Sequence, residues 1–206
     1  MSPDPARPYF PPPRVVNRRA DPPVRVEAAI THGYPASRLA GIEEAWTPAR
    51  AALAEERARQ GRPLEHAHWN WTEIYRADAH DLFAIEANDA VQGLMAIDVR
   101  LRRSELDPGA WVLYVDFLEV AAWNSLSSAP TLLGEVGSLL IAEAVRVSLS
   151  RAQGRISLHS LSQSVGFYTR CGLTNLGTDP GYYDLVYFEY DERAGREWLK
   201  RMEGGR

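Results

Sequence analysis

The chain has 206 residues, of which 45% are hydrophobic and 24% charged, with a formal net charge of -4. This length and composition predict one globular domain with one sizeable core. The acidic balance disfavours nucleic acid as a partner. No apolar stretch approaches the roughly 18 residues of a membrane helix, and the N-terminus lacks an apolar signal core. Cys171 is the only cysteine, which excludes an internal disulfide and predicts a reducing, cytoplasmic compartment.

Prolines and arginines dominate the start of the chain. Eight of the 14 prolines lie within residues 1–23. The same segment contains Arg7, Arg14, Arg18 and Arg19. Such a segment cannot be helical and favours polyproline II or disorder. We expect a solvated arm over 1–23 that wraps the domain or a partner subunit, with a proline-motif ligand as the alternative. The folded domain is predicted over 24–190, followed by a helical tail over 191–206.

The first part of the domain is predicted to contain one strand and two helices. VRVEAAI (24–30) alternates in the manner of a strand. Ser37 is placed to cap a first helix. Thr47 and Pro48 have the residue types of a new N-cap and first turn, which predicts a second helix that ends at Gly61.

A hairpin, a central strand and a long helix follow. Two strand-like runs, 81–87 and 91–99, flank a turn at Asn88-Asp89-Ala90. WVLYVDFLEV (111–120) is the most strand-like run of the chain. The apolar run LLGEVGSLLIAEAV (132–145) has helical spacing and carries two glycines at its start.

The last part of the chain completes an α/β pattern. The predicted elements are a strand at 155–161, a helical turn at 162–172, strands at 173–177 and 183–190, and an amphipathic helix at 192–202. Early helices, central antiparallel strands and a late strand–helix–strand unit predict an α+β domain. Its expected architecture is a three-layer α/β/α fold with a mixed, mostly antiparallel sheet.

The glycines at the start of the long helix are compatible with an anion site. Gly134 and Gly137 lie where a strand passes through a loop into the helix. The first N–H groups of a helix lack partners, and the helix dipole adds about half a positive charge there. A diphosphate would satisfy both features. The alternative is a turn that merely needs glycine.

Several motifs together resemble the GNAT superfamily of acyl-CoA-dependent N-acyltransferases. They are HWNW, VQGLM, YVDFLEVAAWN, GRISLHSL and GFYTRCG, and they are shared with an uncharacterised bacterial branch of that superfamily. The resemblance covers residues 81–190 and extends more loosely to Val24. It implies a GNAT-like fold and direct transfer of an acetyl group from acetyl-CoA to an amine. A degenerate, non-catalytic binding or regulatory module is the alternative.

The resemblance also implies where acetyl-CoA binds. The pantetheine arm is expected along the backbone of Leu118, Glu119 and Val120. The pyrophosphate loop, Gln/Arg–x–x–Gly–x–Gly/Ala in the family, fits incompletely in either register. One register places Leu132 at the basic position and Glu135 at the first glycine, whereas the other begins at Thr131. The expected cofactor contacts in the loop are Leu133, Gly134, Glu135, Val136, Gly137 and Ser138.

Two residues are the candidates for proton transfer. Asp116 is a carboxylate within the apolar strand and is the candidate general base. Alternation predicts that it shares one face with Val112, Tyr114, Leu118 and Val120. A structural role for Asp116, or a base at Tyr114 or Glu119, are the alternatives. The resemblance assigns the thiolate-facing general acid to Tyr168, with a buried structural phenol as the alternative.

The resemblance also predicts a polar contact where the chain departs from the family pattern. Leu161 stands where the family often has Asn. Ser160 and Ser162 flank this position and are expected to supply the polar contact instead.

The remaining aromatic, histidine and cysteine residues are weaker candidates. Tyr114, Trp69 and Trp71 are the candidate contacts of the acceptor, although packing roles are expected more often for the two tryptophans. His66 and His68 make a poor zinc site, so no metal is expected. His159 points to the cleft or is a satisfied interior histidine, and Cys171 is expected to be an apolar filler. The acceptor class stays open between small molecules and peptides, and a homodimer is compatible with the resemblance.

Overall fold

A computed structural model describes residues 12–129 and 132–204, which contain ten strands and five α-helices. The strands are β1 Arg14–Asn17, β2 Val24–Glu27, β3 Ala29–His32, β4 His80–Ala87, β5 Ala90–Arg103, β6 Trp111–Val120, β7 Leu133–Gly134, β8 Ile156–Ser160, β9 Thr174–Asp179 and β10 Leu185–Tyr190. The helices are α1 Leu39–Arg59, α2 Trp71–Ile74, α3 Val136–Ala152, α4 Val165–Cys171 and α5 Glu192–Gly204.

The main sheet has seven strands in the order β3-β4-β5-β6-β8-β10-β9. Every neighbouring pair is antiparallel except β6 and β8. Alternate residues of β4 face opposite layers. Phe83 and Ile85 join a core with α3 and α5, whereas Leu82 and Ala84 join a second core with α1 and α2. This confirms the predicted three-layer fold with a mixed, mostly antiparallel sheet.

The predicted hairpin is confirmed, with a turn one residue shorter than expected. Asn88 and Asp89 both have positive φ, 51° and 58°. Positive φ at both central residues is the geometry of a type I′ turn, whose twist matches that of the flanking strands. Asn and Asp tolerate this geometry better than most residues, which explains the sequence at the turn.

The first helix differs from the prediction, because α1 is continuous through Pro48. One inward stripe runs along its whole length: Leu39, Ile42, Trp46, Arg50 and Leu53 are buried at helical spacing. Pro48 lies on the exposed side. Thr47 does not begin a new helix, since its Oγ1 donates to the Glu43 carbonyl at 2.7 Å. Packing along the stripe therefore outweighs the helix-breaking tendency of the proline.

The start of the chain is more ordered than a solvated arm. Strand β1 forms a small antiparallel sheet with β2 and β7, and Val15 is fully buried in it. The predicted strand over 24–30 is also two strands, because β2 belongs to this small sheet and β3 to the main one. The chain changes sheets at Ala28, whose N–H donates to the Pro13 carbonyl at 2.9 Å. The part of the predicted arm at 1–11 lies outside the described residues.

The later elements follow the sequence prediction with one change. Leu133 and Gly134, predicted as the start of the long helix, instead form β7, and α3 begins at Val136. In the described parts of the chain, no helix has the length and apolar character needed to cross a bilayer.

Candidate active site

A wedge opens between β6 and β8 at the centre of the main sheet. The two strands pair only where Leu113–Val115 face Ile156–Leu158. Strand β6 continues to Val120 and β8 to Ser160 without further pairing between them. In the carboxyl-terminal parts of these two parallel strands, the backbone N–H and C=O groups that face the gap therefore do not hydrogen-bond across it.

Strand alternation determines which backbone groups of β6 face the wedge. The Ala121 N–H donates to the Gln92 carbonyl at 2.9 Å, so residue 121 directs its backbone towards the β5 side. In an antiparallel pair this direction alternates with each residue. Leu118 and Val120 consequently direct their N–H and C=O groups into the wedge, and Glu119 directs its backbone towards β5.

A β-bulge at Asp116 changes the predicted faces of β6. Phe117 pairs with Ala96 and Val115 pairs with Ile97, which leaves Asp116 as an extra residue. The bulge shifts the alternation by one. Leu118 and Val120 therefore pack in the same core as Leu113 and Val115, on the α3 side, and not on a common face with Tyr114 and Asp116 as the sequence predicted.

A cavity of about 450 Å³ occupies the wedge and extends to the start of α3. The predicted loop residues Leu133, Gly134, Glu135, Val136, Gly137 and Ser138 all line it. The first intrahelical bond of α3 runs from the Leu139 N–H to the Glu135 carbonyl, 2.9 Å. The N–H groups of residues 136–138 precede it and are the free donors expected of a first helical turn. The Leu133 N–H is taken by Asn124 Oδ1 at 3.0 Å.

Glu135 is the residue of this loop that is least suited to its backbone conformation. It has φ of 70° at the N-cap of α3 and makes no side-chain capping bond. A side chain in this left-handed region is strained, typically by about 1–2 kcal/mol. Glycine is the residue that adopts this conformation freely. The structure thus shows a backbone shaped for glycine with a carboxylate in its place.

Asp116 is held from two sides at the closed end of the wedge. His80 Nε2 lies 2.9 Å from Asp116 Oδ2, and the Tyr182 hydroxyl donates to Oδ1 at 3.3 Å. His80 Nδ1 accepts the Arg76 N–H at 3.1 Å, so the proton of the neutral ring lies on Nε2 and is donated to Asp116. Asp116 is one of the residues that line the cavity.

A second chain of hydrogen bonds passes through His159. The Tyr114 hydroxyl lies 2.8 Å from His159 Nδ1, and His159 Nε2 lies 3.0 Å from Asp179 Oδ2. The Tyr182 ring stacks on the imidazole at 4.1 Å. Burial lowers the pKa of His159, and the bond to Asp179 opposes this shift. His159 lines the cavity, as the sequence analysis allowed, whereas Tyr114 is buried behind it.

Tyr168 lies on α4 and lines the same cavity. Burial raises the pKa of its phenol above the ordinary value. The phenol therefore keeps its proton at neutral pH. Neighbouring Cys171 is buried, and burial raises the pKa of its thiol to about 11 against the opposing hydrogen bond with Ser138. This is the apolar filler predicted from the sequence.

A buried ionic cluster supports β6 from the α1 side, and the sequence analysis missed it. Arg50 Nε donates to Glu119 Oε1 at 2.9 Å, and Arg50 Nη1 donates to Glu43 Oε2 at 3.0 Å. Arg50 Nη1 also donates to the Trp69 carbonyl at 2.7 Å. Trp71 Nε1 donates to Glu119 Oε2 at 2.7 Å. We call these four side chains, Glu43, Arg50, Trp71 and Glu119, the Arg50 cluster.

One sequence feature points to the Arg50 cluster. Glu43 and Arg50 are seven residues apart and so occupy the same helical face as the apolar stripe of α1. Charged residues at such positions need partners, because unpaired buried charges are costly. Burial also raises the pKa of Glu119, and the hydrogen bond from Arg50 opposes that shift.

The two tryptophans predicted as pocket walls separate in the structure. Trp71 is fully buried in the Arg50 cluster and is not a pocket wall. Trp69 lines the cavity and meets Phe117 edge-on at 5.5 Å. Leu161 also lines the cavity, whereas Ser160 bonds its hydroxyl to the Leu161 carbonyl and Ser162 bonds to Glu65. Within residues 12–129 and 132–204, no group of three His, Cys, Asp or Glu side chains is arranged to hold a metal ion.

His66 makes stability depend on pH. Burial, with Arg50 next in effect, lowers its pKa to about 4. The unfolded chain binds a proton near pH 6.5 and the folded chain only near pH 4, so stability falls as pH falls through this window. Between pH 7.5 and pH 5, we expect the free energy of unfolding of the wild type to fall by about 2 kcal/mol more than that of His66→Gln. Urea unfolding at both pH values measures this, with His68→Gln, an exposed neighbour, as control. Equal losses in wild type and His66→Gln would contradict it.

Comparisons with known proteins found similar solved structures but no similar sequence family. Neither the protein-family models nor the curated proteins contain a match. The KacTA-DNA complex aligns with a TM-score of 0.51 at 14% identity, over 85% of this chain and 99% of that chain. A GNAT-family acetyltransferase from Listeria monocytogenes aligns with a TM-score of 0.49 at 14% identity, over 80% and 95%. Arabidopsis thaliana Naa50, in complex with the bisubstrate analogue CoA-Ac-MVNAL, aligns with a TM-score of 0.44 at 18% identity, over 80% and 98%.

The chain has the GNAT fold. This rests on the one parallel junction among the described strands, between β6 and β8, on the wedge beyond it and on the helix that begins beside the wedge. The alignment with the KacTA-DNA complex, at a TM-score of 0.51, agrees with these features. The fold that the sequence resemblance implied is thereby confirmed.

Proposed function

We propose that the protein is an acyl-CoA-dependent N-acyltransferase that moves an acetyl group from acetyl-CoA to an amine by direct transfer. The observation that carries this proposal is the open wedge between β6 and β8, which leads without a break to the free N–H groups of the first turn of α3. An extended ligand with amide groups in its middle and a diphosphate at one end matches both parts of this cavity.

In the proposed complex, the pantetheine amides hydrogen-bond to the backbone of Leu118 and Val120 as an added strand would. The diphosphate lies on the N–H groups of Val136, Gly137 and Ser138. This placement directs the thioester towards the closed end of the wedge, and Asp116 and Tyr168 are both among the residues that line the cavity. Glu119 contributes to this arrangement indirectly, because its side chain anchors β6 to α1.

The proposed reaction needs three proton transfers. Asp116 accepts one proton of the acceptor ammonium group, and the freed nitrogen attacks the thioester carbonyl carbon. The C–N bond forms, and the C–S bond breaks as Tyr168 donates its proton to the departing thiolate. The attacking nitrogen then passes its second proton to the Tyr168 phenolate, and Asp116 releases its proton to solvent, so the enzyme returns to its starting state.

The amine acceptor is proposed to approach past Trp69 and Asp116, which line the cavity. An aromatic wall beside a carboxylate favours a cationic amine, since both attract positive charge. A small molecule and a peptide both satisfy this requirement. Tyr114 does not line the cavity, and we assign it the positioning of His159 instead of contact with the acceptor. The buried free thiol of Cys171 is consistent with the proposed cytoplasmic location.

Two measurements on the purified protein test this function. Isothermal titration with acetyl-CoA is expected to show one site per chain. Release of free thiol from acetyl-CoA is then followed with a panel of small amines, peptides with free N-termini and peptides that contain lysine. Transfer to one class of amine supports the proposal, whereas absence of CoA binding overturns it.

A second candidate function is a binding or regulatory module that has lost turnover. Glu135 favours it, because a carboxylate at the start of α3 repels a diphosphate and strains the backbone. This candidate predicts CoA binding without transfer to any amine. It also predicts that Asp116 and Tyr168 variants keep the biological activity.

We expect Glu135→Gly to stabilise the protein by about 1 kcal/mol and to tighten CoA binding about threefold. The stability gain comes from relief of the left-handed strain, and the affinity gain from removal of the negative charge. Gln153→Gly is the matched control, because Gln153 has φ of 59° at the opposite end of α3. It should stabilise the fold and leave CoA affinity unchanged. Weaker CoA binding by Glu135→Gly would contradict the placement of the diphosphate.

A further inference from the structure

The segment before the domain is joined directly to the loop that begins α3. Strand β1 pairs antiparallel with β7, with Val16 opposite Gly134 and Asn17 opposite Leu133. The next residue continues the contact, since the Arg18 N–H donates to the Leu132 carbonyl at 2.9 Å. Residues 16–18 are therefore fixed beside the proposed diphosphate site by backbone hydrogen bonds.

The Arg18 guanidinium lies against the backbone of Gly134. A Cβ built on Gly134 would overlap Arg18 Nε and would lie 2.7 Å from Arg18 Cζ, so any larger residue at this position would require the flexible guanidinium to shift. Gly134 does not have positive φ, so backbone conformation does not explain why glycine occupies this position. Glycine at this position makes room for the guanidinium, which brings Arg18 into the lining of the cavity.

The loop itself supplies no positive side chain. Residues 132–138 contain one charged group, the carboxylate of Glu135. The arginines of the cavity lining come from elsewhere: Arg18, Arg57 and Arg170. Among the described residues, no carboxylate lies within ion-pair distance of the Arg18 guanidinium. Arg18 is thus the cation that backbone pairing holds beside the loop at the start of α3, where the diphosphate is proposed to bind.

We propose that Arg18 is a diphosphate-binding residue, supplied to the acyl-CoA site by the N-terminal strand. This rests on the proposed function and adds to it a residue from outside the 24–190 domain. Charge-assisted hydrogen bonds from the guanidinium to the diphosphate oxygens offset the repulsion by Glu135. The N-terminal strand is then part of the cofactor site.

Three ligands separate the contribution of Arg18 from other contacts. CoA carries the diphosphate and the 3′-phosphate, 3′-dephospho-CoA carries only the diphosphate, and pantetheine carries neither. We expect Arg18→Gln to weaken the binding of CoA and of 3′-dephospho-CoA by the same factor, about tenfold, because one charge-assisted contact is lost. Pantetheine binding should be unchanged. Arg25→Gln, on the neighbouring strand β2, is the matched control and should leave all three affinities unchanged.

A second variant tests the contact without changing charge. Gly134→Ala places a methyl group where the guanidinium lies, so it should displace the guanidinium and weaken the same two ligands, but by less than Arg18→Gln. Far-ultraviolet circular dichroism of both variants checks that the fold is retained. Unchanged CoA affinity in Arg18→Gln, tighter binding in it, or an equal loss for pantetheine would each overturn the role of Arg18. If the wild-type protein binds no CoA at all, it is the proposed function that fails.

Discussion

Replacement of Asp116 by Asn is expected to lower kcat for acetyl transfer by about 10²–10³-fold and to leave acetyl-CoA affinity unchanged. Asparagine keeps the shape of the side chain and an oxygen that accepts the hydrogen bond from His80, but it cannot take up a proton. Stopped-flow or steady-state release of CoA thiol with the best acceptor of the panel measures kcat, and isothermal titration measures the affinity.

Asp81→Asn is the control for this experiment, because Asp81 is an exposed carboxylate on β4. It should keep wild-type kcat. Glu119→Gln tests the alternative base predicted from the sequence. If Asp116→Asn retained full kcat while Glu119→Gln abolished transfer without loss of stability, the assignment of Asp116 as base would be wrong.

The second large effect is expected from Arg50→Met. Arg50 is 3% exposed and bridges Glu43 and Glu119. Removal of the guanidinium leaves two buried carboxylates without their counter-charge, and breaking a buried pair in this way typically costs about 3–5 kcal/mol. Urea unfolding at pH 8 measures the change in free energy of unfolding. Arg59→Met, an exposed arginine of the same helix, is the control and should change stability little.

The pH dependence of Arg50→Met identifies the cause of its instability. Burial already raises the pKa of Glu119, and loss of Arg50 removes the group that opposes this shift. A carboxyl group whose folded-state pKa is raised binds its proton more tightly when folded, so its contribution to stability falls as pH rises. The deficit of Arg50→Met relative to wild type should therefore be smaller at pH 5 than at pH 8. A deficit independent of pH, and not reduced in Arg50→Met/Glu119→Gln, would indicate lost packing instead of unpaired charge.

Periodicity predicted the elements whose local sequence and tertiary environment agree. Strand β6 reads as an apolar run between breaks, and the Asn88-Asp89 turn has residue types suited to positive φ. The apolar stripe of α3 likewise agrees with its burial. In these segments the same residues satisfy local preference and the core, so the sequence alone is sufficient.

The prediction was wrong where long-range packing overrides local preference. Thr47-Pro48 has the residue types of a helix start, yet the buried stripe of α1 continues through it. Val15 lies in a segment rich in proline and arginine, yet it is fully buried, and its strand also pairs with β7, which is more than 100 residues further along the chain. Neither result follows from local propensity, because the stabilising contacts are made by other parts of the chain.

The geometry of the site was the part least predictable from the sequence. A bulge adds one residue, and no composition or spacing distinguishes Asp116 as that residue. Its partner His80 is 36 residues away, and Arg18 is more than 100 residues from Gly134. The residue type and its apolar strand suggested Asp116, and the family resemblance suggested Tyr168, whereas the orientation and the supporting partners of both depend on the fold.

The central claim is that the wedge beside β6 receives acyl-CoA with its diphosphate at the start of α3. A crystal structure of the protein with acetyl-CoA tests it most directly. The expected result is diphosphate oxygens within hydrogen-bond distance of the N–H groups of residues 136–138, with the pantetheine amides paired to Leu118 and Val120. Acetyl-CoA bound elsewhere on the molecule, with the wedge filled by side chains, would contradict the account.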